Sequence, residues 1–351
     1  MAGLGSPLLV LIFVAASAAT WVAGVALSKT TDALDARFGL GDELGGLILL
    51  AVAGSLPELA ITISAAASGN LALAAGNLIG GIAMQTMVLL VCDFAVGPAR
   101  PLTYLVGRLT PVLEGLLVIL VVAGVEMGAL LKPSTAIGGR VSPASLGIVV
   151  VWVVGLYAIN RAAKDPRWSI SMPGSRPGRH RAEKRQEPAH PYAGASTARV
   201  ATVFGVACAV TLAAGVALEE SGSELANRMG INGVIFGATI LAGATALPEI
   251  SSGIAAVRLG DHALAMGDVF GGNAFQVCLF LVADLVAGAP VLPSAGNLNA
   301  WLAALGVALT AVYGFGVISR PMHTRVRLGP DSLLALALSG PGIAGLFYVP
   351  H

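Results

Sequence analysis

Charge is the scarcest property of this chain: of 351 residues only 11% are charged, against 56% hydrophobic, and the mean hydropathy is +0.83. That shortage excludes a water-soluble globular domain, and in such a chain a net charge of +1 says nothing useful about nucleic acid, which is not an expected partner. Cysteine is nearly absent. Cys92, Cys208 and Cys278 are odd in number, far apart and inside apolar runs, which excludes a disulfide framework and a zinc site and leaves them as packing residues. The first apolar run, Pro7 to Leu27, lacks the basic leading segment of a signal peptide and is expected to be a transmembrane helix.

What is abundant is apolar length. Hydropathy and the punctuation by Gly, Pro and charge predict about ten spans, near 7–28, 45–68, 71–96, 109–131, 141–160, 199–219, 233–257, 262–287, 297–319 and 330–349. The expected fold class is therefore an all-α polytopic membrane protein. One polar stretch interrupts it: residues 161–198 hold a basic, aperiodic loop between a first unit, 1–160, and a second, 199–351, of five helices each. Loops on the side of that stretch carry 17 of the 20 Lys and Arg, and the opposite loops only Lys132, Arg140 and Arg228. The positive-inside rule then predicts a multi-pass protein of the cell membrane with a cytoplasmic basic loop and both termini extracytoplasmic.

The two units are copies of one pattern. Offset by 191 residues, positions 23–94 match 214–285 at 29 of 72 places without a gap, and the matches include Leu56-Pro57-Glu58 with Leu247-Pro248-Glu249, Gln85 with Gln276, Asp93 with Asp284 and Arg37 with Arg228. Five spans separate equivalent points. An odd number inverts the second copy in the bilayer, which is the inverted-repeat architecture of many secondary transporters.

Each copy places a proline and then a glutamate at membrane depth. Pro57 and Pro248 have no N–H for the carbonyls of Ala53 and Ala244, so both helices are expected to break there, helped by Gly54 and Gly243. Unpaired carbonyls in a bilayer are tolerable only beside a cavity or ligand. Oxygen donors from two symmetry-related helices can thus converge: the Glu58 and Glu249 carboxylates, the Ser55 and Thr245 hydroxyls and loosened carbonyls. An all-oxygen set favours a hard cation such as calcium or sodium. The next spans open with "GNLIGGIAMQ" (76–85) and "GDVFGGNAFQ" (267–276). There Asn77, Gly81 and Gln85, and likewise Asp268, Gly272 and Gln276, recur every four residues on one helix face, which puts both glutamine amides within reach of the glutamates.

At these residues the sequence resembles the sodium/calcium exchanger family of the calcium/cation antiporter superfamily, whose repeats read G-T-S-x-P-E on one helix and G-N-x-x-G-S-N-x-x-N (or D) on the next. The resemblance implies a secondary active antiporter that exchanges calcium for sodium or protons by alternating access, without a catalytic residue or cofactor. Carried over by position, Glu58 and Glu249 match the central cation-binding acids, Ser55 and Thr245 the hydroxyl ligands, and Ala51 and Ala242 positions that supply backbone carbonyls. Gln85 and Gln276 fall where the family has Asn or Asp; Asn77, Asp268, Gly81 and Gly272 are expected to line the site.

This chain also departs from the pattern. Gly54 and Ala246 replace hydroxyl residues, Gly81 and Gly272 replace the family's Ser in both halves, and Ile82 replaces an Asn in the first. Because Gln is one methylene longer than Asn, the Ser-to-Gly and Asn-to-Gln changes are expected to compensate each other sterically. Two carboxylates balance one calcium, two sodium ions or two protons, so a monovalent sodium/proton exchanger is the alternative. An intramembrane hydrolase needs no such symmetry of acids and is disfavoured. Asp93 and Asp284 lie eight residues beyond the glutamines, about 12 Å along a helix, and are expected at the lipid interface. Inorganic cations and the lipid bilayer are the expected partners; the sequence does not specify an oligomeric state.

Overall fold

The computed structural model describes residues 1, 3–38, 52–164, 192, 194–294 and 296–350. Ala51, the expected start of the second span and most of the 161–198 loop lie outside the described residues. Among those residues the protein is helical, with two isolated β-bridges and no strand. The first half contains α1 (Ser6–Phe38), α2 (Leu56–Ala67), α3 (Leu71–Thr86), α4 (Val88–Val96), α5 (Thr110–Ala129) and α6 (Pro143–Lys164). The second repeats the order with α7 (Thr197–Met229), α8 (Gly233–Thr245), α9 (Leu247–Arg258), α10 (His262–Gln276), α11 (Leu279–Ala287), α12 (Gly296–Ser319) and α13 (Pro330–Gly345). Helices α3 and α4 form one span, as do α10 and α11, and α8 with α9 forms a bent one. The result is two inverted sets of five spans.

The ends of α1 and α7 depart from expectation. Both helices were expected to stop at the first charged residues, near 28 and 219, and instead run on to Phe38 and Met229. Tertiary partners hold the polar extensions. Arg37 donates to the carbonyls of Tyr192 and Ala195 at 2.8 and 2.7 Å and to the Thr197 hydroxyl at 3.0 Å, at the start of α7. Its repeat counterpart Arg228 donates to Ser6 Oγ at 3.1 Å, at the start of α1, and to Glu224 at 2.8 Å. Ser64 donates to Glu219 Oε2 at 2.8 Å and Asn70 to Ser223 Oγ at 2.8 Å. The two long helices therefore lie antiparallel, each end pinned by an arginine from the other copy.

The remaining spans pack into a core whose closest approach is between α3 and α8. A Cβ on Gly80 would lie 2.2 Å from the Cβ of Ala238, one on Gly76 2.6 Å from the Cα of Val234, and one on Gly237 2.7 Å from the carbonyl of Leu73. Only glycine lets backbones meet at that distance. Residues Gly237–Leu241 of α8 wind as a π-helix along this contact.

Asp93 and Asp284 correct the sequence reading. Neither side chain faces lipid; both are buried within the protein and clamp loops. Asp93 accepts from the amides of Leu102 at 2.6 Å and Gly329 at 2.7 Å, and Asp284 from those of Ser142 at 2.9 Å and Val291 at 2.7 Å. Loop amides that lack a ladder need such acceptors at a membrane boundary, where water is scarce.

Candidate cation site

The broken spans carry the site. In the second half α8 ends at Thr245, Ala246 forms a turn at φ −78° and ψ −4°, and α9 leaves at a bend of 44°. In the first half 52–54 are helical, Ser55 turns at φ −96° and ψ 19°, and α2 begins. Pro57 and Pro248 are each the second residue of the restarted helix, where a missing N–H costs nothing. Glu58 and Glu249 follow in the first turn, at the positive end of the new helix, which favours a carboxylate.

The two halves meet at these acids. Gln85 Nε2 donates to Glu58 Oε1 at 2.9 Å, so the expected reach of that amide is present. Thr245 faces the Glu58 carboxyl from the other half, and Glu249 lies within electrostatic reach of Glu58. Glu58 Oε2 and Glu249 Oε2 are buried without a donor among the described residues. An unpaired buried oxygen is costly, and one from each half at one place marks room for a positive ligand. Ser55 is buried at its turn. Among the described residues no three Asp, Glu, His or Cys side chains cluster to hold a metal by themselves, so any cation here completes its shell with hydroxyl, amide or carbonyl oxygens.

Other expected positions are engaged differently. The Ala242 carbonyl accepts from the Ala246 amide at 3.0 Å and from Thr245 Oγ1 at 3.2 Å, so both lone pairs are used in this conformation. Gln276 turns away from Glu249: its Nε2 donates to the carbonyls of Asn77 at 3.1 Å and Leu78 at 3.0 Å. The glycine substitutions explain where the glutamines fit. A Cβ on Gly81 would stand 2.2 Å from Gln276 Nε2, and one on Gly272 4.0 Å from Gln85 Oε1. The expected compensation is thus found at Gly81 alone and is crossed between the halves, the glycine of the first making room for Gln276 of the second; at Gly272 a Cβ would meet Gln85 only at ordinary contact distance.

Three residues escaped the sequence reading. Asn273, three residues before Gln276 on α10, is buried and donates to Thr86 Oγ1 at 3.1 Å. Its place opposite Ile82 in the repeat was the available signal. Ser252 donates to Asp268 Oδ2 at 2.6 Å. Glu114, without a repeat counterpart of its own type, reaches the backbone of α10 beside Asp268; a Cβ on Gly267 would lie 2.9 Å from its Oε2.

Access to the site is one-sided. A cavity of about 40 Å³ is lined by Ser28, Pro57, Pro248, Glu249, Ser252 and Asp268 among others. Glu249, Ser252 and Asp268 are half-buried there, whereas their repeat counterparts Glu58, Ile61 and Asn77 are all 0% exposed.

This arrangement has known relatives. A family model described as sodium/calcium exchanger protein matches residues 8–160 and 199–338. The chain belongs to the sodium/calcium exchanger family. It is a multi-pass cation antiporter of that family. Inner membrane protein YrbG of Escherichia coli (strain K12) is 24% identical over 263 residues, 75% of this chain and 73% of that protein. A putative antiporter, CaxA, of Alkalimonas amylolytica is 25% identical over 250 residues, 71% of this chain and 72% of that protein. Among solved structures, the H+/Ca2+ exchanger CAX superposes with a TM-score of 0.67 at 16% identity, covering 98% of this chain and 82% of that one. The sodium-calcium exchanger NCX_Mj, soaked with Na+ and Sr2+, gives 0.61 at 16% identity, covering 97% and 99%.

Proposed function

We propose that this antiporter binds calcium between Glu58 and Glu249 and returns sodium or protons through the same oxygens. The observation that carries this reading is the pair of buried, donorless carboxylate oxygens, one from each inverted half, at the N-termini of two restarted helices. Two carboxylates offset the charge of one divalent cation. Gln85, Thr245 and Ser55 add neutral oxygens, as a hard cation of flexible coordination requires. Glu58 keeps Gln85 as an orienting donor, while the other oxygen stays available.

Coupling follows from competition. An ion that neutralises the two acids allows the repeats to rock around them, and an empty, doubly negative site resists closure. The half-buried face of Glu249 is the access route in the conformation described here, on the side of the basic loop. By the positive-inside argument that side is cytoplasmic, and both termini lie outside the cell membrane. Gln in place of the family's Asn or Asp, with fewer hydroxyls, favours a site that holds fewer sodium ions; a monovalent sodium/proton exchanger is the second reading.

Calcium-45 uptake into proteoliposomes under a sodium gradient, a pH gradient or neither tests this, with Glu58→Gln as control. Gradient-driven uptake lost in the variant supports the site. No uptake under either gradient, with sodium/proton exchange present, supports the second reading.

A further inference from the structure

Beside the central pair stand two acids for which neither the repeat nor the calcium site accounts. Asp268 stands where the first half has Asn77, and Glu114 where the offset gives Leu305. Both belong to one side of the molecule. Asp268 sits on α10 at the cavity that also wets Glu249, and Glu114 reaches it from α5. The carboxyls are neighbours: Glu58 and Asp268 both act on Glu249, and Asp268 acts on Glu114; Glu249 and Asp268 also line the same cavity. The other groups that act on them are hydroxyl, amide and backbone partners. Asp268 in turn acts on the titratable groups Glu249 from α9, Glu114 from α5 and Cys92 from α4; α3 contributes none. Glu114 Oε2 is buried without a donor among the described residues.

Acids stacked in this way without a compensating cation cannot all be ionised at once. A metal cluster is not their common ligand, because no three such side chains gather closely enough among the described residues. What suits carboxyls gathered beside a small cavity, with Glu249 Oε2 and Glu114 Oε2 both donorless among the described residues, is a proton.

We propose that Asp268 and Glu114 are a proton-carrying branch beside the cation site, through which the counter-transported protons reach Glu249. A hydronium ion in the cavity gives its proton to the Asp268 carboxylate and leaves as water. As Glu249 releases the cation, Asp268 passes it that proton and returns to carboxylate. Glu114 holds a second proton one step behind. Two stored protons equal the charge of one divalent cation. Ser252, donating to Asp268 Oδ2, leaves Oδ1 as the atom that takes and gives the proton.

This inference rests on the antiport reading, so its test separates the two. Wild type, Asp268→Asn, Glu114→Gln and Asp268→Glu are reconstituted in proteoliposomes. Calcium-for-calcium counterflow at equal pH, which moves no net protons, is measured beside calcium uptake driven by a pH gradient. Asn already stands at the equivalent position 77, so the Asn variant is expected to fold, and a monodisperse gel-filtration profile checks it. The expected result is near-normal counterflow with reduced pH-driven uptake in Glu114→Gln; in Asp268→Asn pH-driven uptake falls at least tenfold more than counterflow does, and Asp268→Glu restores it. Unchanged pH-driven uptake in Asp268→Asn and Glu114→Gln, or loss of counterflow along with it in both, overturns the branch. Absent counterflow in wild type instead overturns the calcium reading. Infrared difference spectra after a pH drop decide the branch in that case too: a protonated-carboxyl band missing from Asp268→Asn supports it, and a band unchanged in both variants overturns it.

Discussion

Gly81 of α3 and Gln276 of α10 share one volume: the hydrogen that replaces a side chain on Gly81 is what admits the Gln276 amide, which otherwise would meet a Cβ at 2.2 Å. Each residue is the departure of one half from its family's pattern, and the two are legible only together. Gly81→Ser is expected to cost about 1–3 kcal/mol by overpacking. Shortening the partner with Gln276→Asn should recover most of it, and a thermal-melt double-mutant cycle measures the coupling; additive losses would mean that the two sites are independent.

Gln85→Leu removes the donor to Glu58 Oε1 while keeping similar bulk. The carboxyl then loses the bond that orients it, and calcium affinity should fall about tenfold, corresponding to about 1.4 kcal/mol. Isothermal titration in detergent reads this directly, and an unchanged affinity would place Gln85 outside the binding chemistry.

Ligand removal has its own signature. Saturating calcium at 100 times its dissociation constant should stabilise the folded protein by about 2.7 kcal/mol, and a chelator should remove that gain. The melting temperature of Glu58→Gln and Glu249→Gln should not respond to calcium. A response equal to wild type in both would sink the site.

One-sided access predicts a labelling pattern. Ser252→Cys should react with a membrane-impermeant maleimide applied from the side of the basic loop, and Ile61→Cys, at the sealed equivalent position, should not. Equal labelling of the two would contradict the asymmetry of the cleft.

Asp93→Asn and Asp284→Asn should each lower stability by about 1–3 kcal/mol, since each carboxyl accepts from two backbone amides through both oxygens and an Asn amide offers only one. Ion selectivity in proteoliposomes should be unchanged, and a changed selectivity would mean that these acids belong to the transport path.

Much of this molecule could be read from its letters because a bilayer allows few solutions. Apolar length marks a span, and a proline followed by a glutamate at depth marks a site; the repeat at offset 191 then supplied both copies and their inversion. What escaped was whatever depends on a partner from the other half. The extension of α1 past Lys29 rests on Arg37 reaching the start of α7, and the role of Asp93 on Gly329, far away in the chain. Gln276 looked equivalent to Gln85, and strict symmetry would aim both amides at glutamates. The backbone carbonyls of Asn77 and Leu78 offered Gln276 a better bond in the conformation described. An inverted repeat is symmetric in sequence and, caught in one state, cannot be symmetric in contacts.

The two aspartate clamps divide the protein mechanically. Asp93 ties the end of α4 to the approaches of α5 and α13, and Asp284 ties α11 to the approach of α6 and to the loop before α12. Six segments are thereby riveted at both membrane faces into one frame, and none of those turns is free to act as a hinge. If the repeats rock about the cation site as proposed, the movement falls to elements outside this frame, α1 and α7 among them. The arginines at their ends couple those two helices to each other.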